Sequence, residues 1–198
     1  MTRDRLSAFT DGVIAILITI MVLDLRAPSG PTWVDLLKNH HSFIAYFVSF
    51  FILAIYWNNH HHLFQLLRQV SGKILWLNMI LLFVMSFIPF TTIWLAEYAS
   101  YQVPEFVYMV NNLVVDVFFT LLTYEIFSKR NTKLKEVQWF WKAAFSILVL
   151  LAGLVLNYFI GFHQVGLICS ILSMTPWIVP DRQIESYMNR SDRKRIKK

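Results

Sequence analysis

The chain has 198 residues, of which 57% are hydrophobic, 16% aromatic and only 15% charged, with a mean hydropathy of +0.51. A soluble domain ordinarily carries about 25% charged residues, so the composition argues against a soluble enzyme, and the single cysteine, Cys169, excludes an intramolecular disulfide framework and a cysteine-cluster metal site. The net charge of +6 would suggest nucleic acid, but its meaning depends on where the basic residues fall.

Read in chain order, six apolar stretches approach the length needed to cross about 30 Å of hydrocarbon at 1.5 Å per helical residue. They cover residues 7–25, 42–57, 74–95, 105–127, 139–162 and 165–179. The first follows only a few residues and has no small-residue cleavage site before Asp24, so it is expected to remain as a span. A Pro- and Gly-containing break over residues 26–31 separates it from the second stretch. That second stretch is short and must extend into its polar flanks or pack inside the bundle. Residues 68–73 form the next break, and Pro104 fits the first turn of the fourth helix. Polar residues 128–135 and a turn at 161–164 delimit the fifth stretch, and the sixth is again short. The expectation is an all-α membrane protein with one six-span domain over residues 1–180 and a basic tail over 181–198. Trp33, Trp94, Tyr98, Tyr101, Trp139, Trp141 and Trp177 fall near span ends, where interfacial aromatic belts sit.

The charges follow this layout. Of 18 basic residues, all but Arg26 and Lys38 fall on one side of the six-span arrangement. By the positive-inside rule both termini are cytoplasmic. Topology thereby accounts for the net charge without nucleic acid, and the tail is read as a solvated segment that touches anionic lipid.

The first span carries the most specific residues. Asp11 opens a long apolar run, and an unpaired carboxylate at the membrane boundary costs several kcal/mol. It either needs a partner or caps the helix entry. Arg5 is six positions away, beyond the usual same-face spacing. Further along, Ile16, Ile20 and Leu23 follow an i, i+4, i+7 pattern with Thr19 one position off that stripe. Aliphatic rings of this kind around a symmetry axis make a dewetted constriction, and hydroxyls beside them offer oxygens to an ion. The same stripe also suits helix packing or lipid contact.

The motif Arg5-x-x-x-Phe9-Thr10-Asp11, opening a span that continues Ile14-Ala15-Ile16-Leu17-Ile18-Thr19, resembles the signature of the prokaryotic transmembrane protein 175 family, relatives of the lysosomal potassium channel. Thr10 replaces the family's Ser and keeps the hydroxyl. Tyr56-Trp57-Asn58-Asn59-His60-His61 is similar to a second family block, and Leu75-Trp76-Leu77-Asn78 with Pro89-Phe90-Thr91 to a third. The resemblance implies a potassium-permeable cation channel without a re-entrant pore loop, built as a homotetramer of six-span subunits with the pore lined by helix 1. It implies that Ile16, Ile20 and Leu23 form the constriction and Thr19 contributes to selectivity. It also implies that Arg5, Phe9, Thr10, Asp11, Trp57 and one of His60 and His61 brace the pore helix. No Thr-Val-Gly-Tyr-Gly filter occurs in the chain, in keeping with a different device for selection.

Other readings are weaker. The three consecutive histidines His60, His61 and His62 point about 100° apart on a helix, so they cannot share one ion, and a haem would lack ligands on a second helix. Neither cofactor nor bound metal is expected beyond permeating K+ and other monovalent cations. Asn111, Asn112 and Asp116 sit inside the fourth span, as interhelical glue or as part of a transport path. A proton- or cation-coupled secondary transporter is therefore the alternative, although no repeated half or pair of Pro/Gly-broken helices supports it. There is no hydrolytic motif, and the chain is read as a non-enzyme of the cell membrane.

The charge distribution predicts topology directly. Reporter fusions at Lys198 and near Arg130 should both read cytoplasmic, and fusions near Ser29 and Gly161 external. An external tail with a cytoplasmic Arg130 loop would reduce the count to five spans.

Overall fold

The structure, a computed structural model, describes residues 1–67, 69–128, 133–160 and 164–178, with the side chains of 133–138 and 160 outside that description. The expected basic tail, the loop around Arg130, and His163 therefore lie outside the described residues. Eight helices are described: α1 (Arg3–Leu23), α2 (Trp33–Lys38), α3 (His40–Gln65), α4 (Gly72–Met85), α5 (Ile88–Glu97), α6 (Gln102–Ser128), α7 (Lys133–Ile160) and α8 (Val165–Ile178). Among the described residues five apolar segments are long enough to cross a membrane, and α8 is shorter. The protein is an all-helical, multi-pass membrane protein.

Each departure from the sequence expectation has a local cause. α1 begins at Arg3, so Arg5 lies on the helix rather than ahead of it. α3 runs eight residues past the expected end, carrying His60 to His62 on its last turns; a short apolar run lengthens into its polar flank because the helix must still span the bilayer. The short helix α2 occupies a stretch read as a break. Thr32 accepts from the Asp35 amide and donates to its carboxylate at 2.6 Å, a reciprocal cap that starts the helix. That contact, with Lys38 behind it, holds the Asp35 carboxyl below its ordinary range.

The third expected span is two helices. Pro89 has no N–H, and its ring excludes the carbonyl of residue i−4, which is Met85, the last residue of α4. The amides of Ser86 and Phe87 bridge the gap, bonding the carbonyls of Leu82 and Val84 at 3.0 and 3.2 Å. Helices α4 and α5 still make one apolar crossing, Gly72–Glu97. The sixth apolar stretch is 14 residues of described helix, roughly 21 Å at 1.5 Å per residue.

Helix α6 is the hub, packed against α4, α5, α7 and α8, while α1 lies against α3, α4 and α5. One face of α6 carries Glu105, Tyr108, Asn112 and Asp116, all buried. In hydrocarbon these groups need internal partners. Tyr108 hydroxyl shares a 3.0 Å hydrogen bond with Ser49 of α3, which in turn accepts from Thr92 of α5 at 2.7 Å. Asn112 donates to Ser170 of α8 at 3.1 Å. Glu105 accepts from Asn157 of α7 at 2.9 Å and from the Gly166 amide of α8 at 2.6 Å. Asn112 thus makes an interhelical contact from α6 to α8.

Trp139 and Trp177 correct the interfacial-belt expectation. Both are buried, with ring centroids 4.9 Å apart against Phe119, and the Trp177 indole donates to Ser146 at 2.8 Å. Position near a span end did not decide their fate, because the short α8 brings its last turns into the bundle. Trp33, Tyr98, Tyr101 and Trp141 are exposed as expected.

Close helix approach at Gly166 gives a prediction. A Cβ there would lie 2.5 Å from Glu105 Cγ, whereas one at Gly72 meets nothing within 4 Å. Gly166→Ala should lower stability to thermal unfolding by about 1–3 kcal/mol, and Gly72→Ala should leave it unchanged within error. Equal melting of the two variants, followed by tryptophan fluorescence in detergent, would count against this packing.

Candidate functional site

The residues of α1 divide into two faces. Leu6, Thr10, Ile14, Leu17 and Met21 recur at helical spacing and are buried against the bundle. On the other side Phe9, Gly12, Ile16, Thr19, Ile20 and Leu23 are exposed at the surface of the subunit. Exposure reaches 57% at Ile16, 41% at Ile20 and 82% at Leu23. A Cβ added at Gly12 would meet nothing within 4 Å, so the stripe is open toward its N-terminal end as well.

The buried face is fixed by a three-helix relay. Thr10 donates its hydroxyl proton to the Leu6 carbonyl one turn back at 3.1 Å and accepts from Asn78 Nδ2 of α4 at 2.9 Å. With its nitrogen committed to Thr10, Asn78 turns Oδ1 toward His60 Nε2 of α3, 2.8 Å away. A carbonyl oxygen only accepts, so His60 carries a proton on Nε2. All three side chains are buried. A hydroxyl is the chemical requirement at position 10, which explains why Thr serves where the resembling family has Ser.

Asp11, one position on, points along a different direction. Its carboxylate accepts from the Trp57 indole N–H of α3 at 2.9 Å, and the Trp57 ring stacks on His61 with centroids 5.9 Å apart. His61 shares a 2.9 Å contact with Gln65. His60 and His61 therefore turn to different neighbours, as 100° per residue requires. Among the described residues no three His, Cys, Asp or Glu side chains are grouped as metal ligands.

The structure thus brings Thr10, Asp11, Trp57, His60 and His61 together and leaves two motif residues apart. Arg5 is exposed and makes no ion pair among the described residues; six helical positions turn it about 120° from Asp11. Phe9 sits on the outward face. Asn78, the link between Thr10 and His60, was quoted in the third sequence block without a role. The signal available for it was an amide inside an otherwise apolar span. On the outward face, Thr19 donates back to the Ile16 carbonyl at 2.9 Å. Its proton is thereby committed to the backbone, and its oxygen lone pairs remain available to a cation.

A potassium channel of Chryseobacterium sp. (strain P1-3) is 39% identical over 188 residues, covering 93% of this chain and 97% of the relative. The family description "Endosomal/lysosomal potassium channel TMEM175" matches residues 5–89. The chain belongs to the TMEM175 family. A potassium channel of Streptomyces collinus is 40% identical over 98 residues, covering 48% of each chain. The human endosomal/lysosomal proton channel TMEM175 is 30% identical over 83 residues, 36% of this chain and 16% of that protein. Among solved structures, that of a lysosomal potassium-selective channel TMEM175 homolog from Chamaesiphon minutus superposes with a TM-score of 0.73 at 25% identity, over 89% of this chain and 98% of that one. The TMEM175 match over residues 5–89 contains α3, α4 and all of α1 after its first two residues, and hence every member of the relay. The longer Chryseobacterium alignment carries the likeness past the third span, where the sequence motifs had ended.

The relay can be tested at Thr10. Thr10→Val keeps the shape but removes the acceptor for Asn78, and a buried amide left unsatisfied costs about 1–3 kcal/mol. Thr10→Ser should melt within error of the wild type. A Val variant as stable as the Ser variant in thermal unfolding would show that the relay does not hold α1.

Proposed function

We propose that this protein is a potassium-permeable channel of the cell membrane, assembled as a homotetramer with α1 of each subunit along the axis and both termini cytoplasmic. The observation that carries this reading is the two-faced α1. One face is anchored by hydrogen bonds to α3 and α4, while Ile16, Thr19, Ile20 and Leu23 lie exposed on the other. Exposed apolar side chains also occur on α3, α7 and α8, as lipid contact demands. On α1 the stripe includes a hydroxyl with free lone pairs and an open glycine, features that a purely lipid-facing surface does not need. Four copies around a closed axis are the usual way for a small subunit to enclose a path it cannot enclose alone.

In this arrangement the rings of Ile16, Ile20 and Leu23 are the constriction. Branched aliphatics that hold no water make an ion shed part of its hydration, and K+, larger and less tightly hydrated than Na+, loses less on doing so. Thr19 supplies oxygens between the aliphatic levels and contributes to selectivity. Thr10, Asp11, Trp57, His60 and His61 brace the helix from behind, with Arg5 and Phe9 at its cytoplasmic entry. The relatives' descriptions as channels support this reading over a coupled transporter, and ion conduction is not an enzymatic activity.

Current through the purified protein in planar bilayers should reverse near the potassium potential under opposed K+ and Na+ gradients. Ile16→Asn should hydrate the constriction, raising conductance and moving the reversal potential toward zero. Unaltered current and ion preference in that variant would place the stripe against lipid, and a monomer as the conducting species in detergent mass measurements would remove the axial arrangement.

A further inference from the structure

A buried carboxyl far along the chain from the braced helix has no place in the conduction face. Asp116 of α6 is fully buried. Its Oδ1 accepts from the Tyr56 hydroxyl of α3 at 3.1 Å, and its Oδ2 has no hydrogen-bond partner. We propose that Asp116 is a proton-binding site in the interior of each subunit, occupied in the folded protein, so that the side chain is a neutral carboxylic acid.

The surroundings require it. An ionised carboxylate removed from water needs a cation or several donors, and a group given neither neutralises instead. Among the described residues no ion pair includes Asp116. Among the described residues, the ionisable groups that the packed helices bring to this part of the bundle are few. Tyr56 comes from α3; Lys142 of α7 sits over the Trp177 ring, 5.8 Å from its centroid; Cys169 of α8 lies near Glu105; and Lys73 of α4 pairs with Glu125 of α6 at 2.6 Å. Within α6 itself, Glu105 provides the contrast. It is equally buried, yet each of its oxygens receives a donor, from Asn157 and from the Gly166 amide.

The neighbouring hydroxyl fixes the direction of the missing hydrogen bond. Ser146 of α7 lies beside the Asp116 carboxyl. Its proton is already committed to the Ser173 carbonyl at 2.6 Å, and it accepts from the Trp177 indole at 2.8 Å. Ser146 can accept a further hydrogen bond but has none to give. A protonated Asp116 offers Ser146 a donor that an ionised one lacks. The site also touches the brace from behind: Tyr56, its donor, directly precedes Trp57, which holds Asp11.

Infrared spectroscopy of the full-length protein in lipid vesicles at neutral pH reads the proton itself. The wild type should show the C=O stretch of a protonated carboxylic acid, above the amide band and shifted down in D2O. Asp116→Asn should abolish it while the protein still folds, because the amide offers one donor and one acceptor to the same neighbours. Glu105→Gln should leave it in place. Where the Asn variant does not fold, Tyr56→Phe serves instead, because losing the phenol's hydrogen bond should move the band to higher frequency. A spectrum unchanged by Asp116→Asn, a band removed by Glu105→Gln, or a band unmoved by Tyr56→Phe would overturn the assignment.

Discussion

The hydrogen bond between Asn78 and Thr10 is the contact on which the arrangement of this protein turns. It crosses from α4 to α1 at full burial, and it is directional in a way that aliphatic packing is not. In a bilayer the hydrophobic effect gives helices no reason to choose one another, because lipid tails are as apolar as leucine. A side-chain amide that can be satisfied only by a hydroxyl on the neighbouring helix supplies that reason. Since Thr10 must face α4, the residues half a turn away must face outward, and the exposed stripe of Ile16, Thr19, Ile20 and Leu23 follows from the geometry of the helix.

The same logic organises the rest of the bundle. α6 holds its neighbours through Glu105, Tyr108 and Asn112, each matched to a partner on a different helix. Close approach is made possible by small residues, with Gly166 against Glu105 and Gly153 against Cys169 and Met109. Polar ties and small-residue contacts are the two forces that operate between helices in hydrocarbon. The braced helix and the hub are joined by α3, which offers Tyr56 to Asp116 and the adjacent Trp57 to Asp11. The exposed face of α1 thereby rests on a support that reaches through α3 to α6.

Much of this was legible in the chain. Hydropathy alone located the apolar segments, since a run of some twenty residues without charge has few alternatives to crossing a membrane. The motif around Asp11 and the blocks at Trp57 and Asn78 carried the family, and the i, i+4, i+7 spacing put Ile16, Ile20 and Leu23 on one face. Helix starts and stops were less legible. α2 depends on a reciprocal cap between Thr32 and Asp35, and the break before Pro89 depends on a clash with the carbonyl of Met85, both local effects that hydropathy does not register.

What only the tertiary structure decided is which polar groups meet. From sequence, Arg5 and Trp57 were both available to Asp11; the helix turns Arg5 away, and the approach of α3 delivers the Trp57 indole. Trp177 looked interfacial by position, yet the shortness of α8 draws it inward to Ser146. Asp116 and Glu105 are both acids of α6, and only their neighbours separate an acid held by two donors from one with a single phenol. The sequence determines that such groups enter the membrane, because their order along an apolar run is covalent. Their partners lie on other helices, far away in the chain, so the satisfaction of each donor and acceptor is a property of the packed bundle alone.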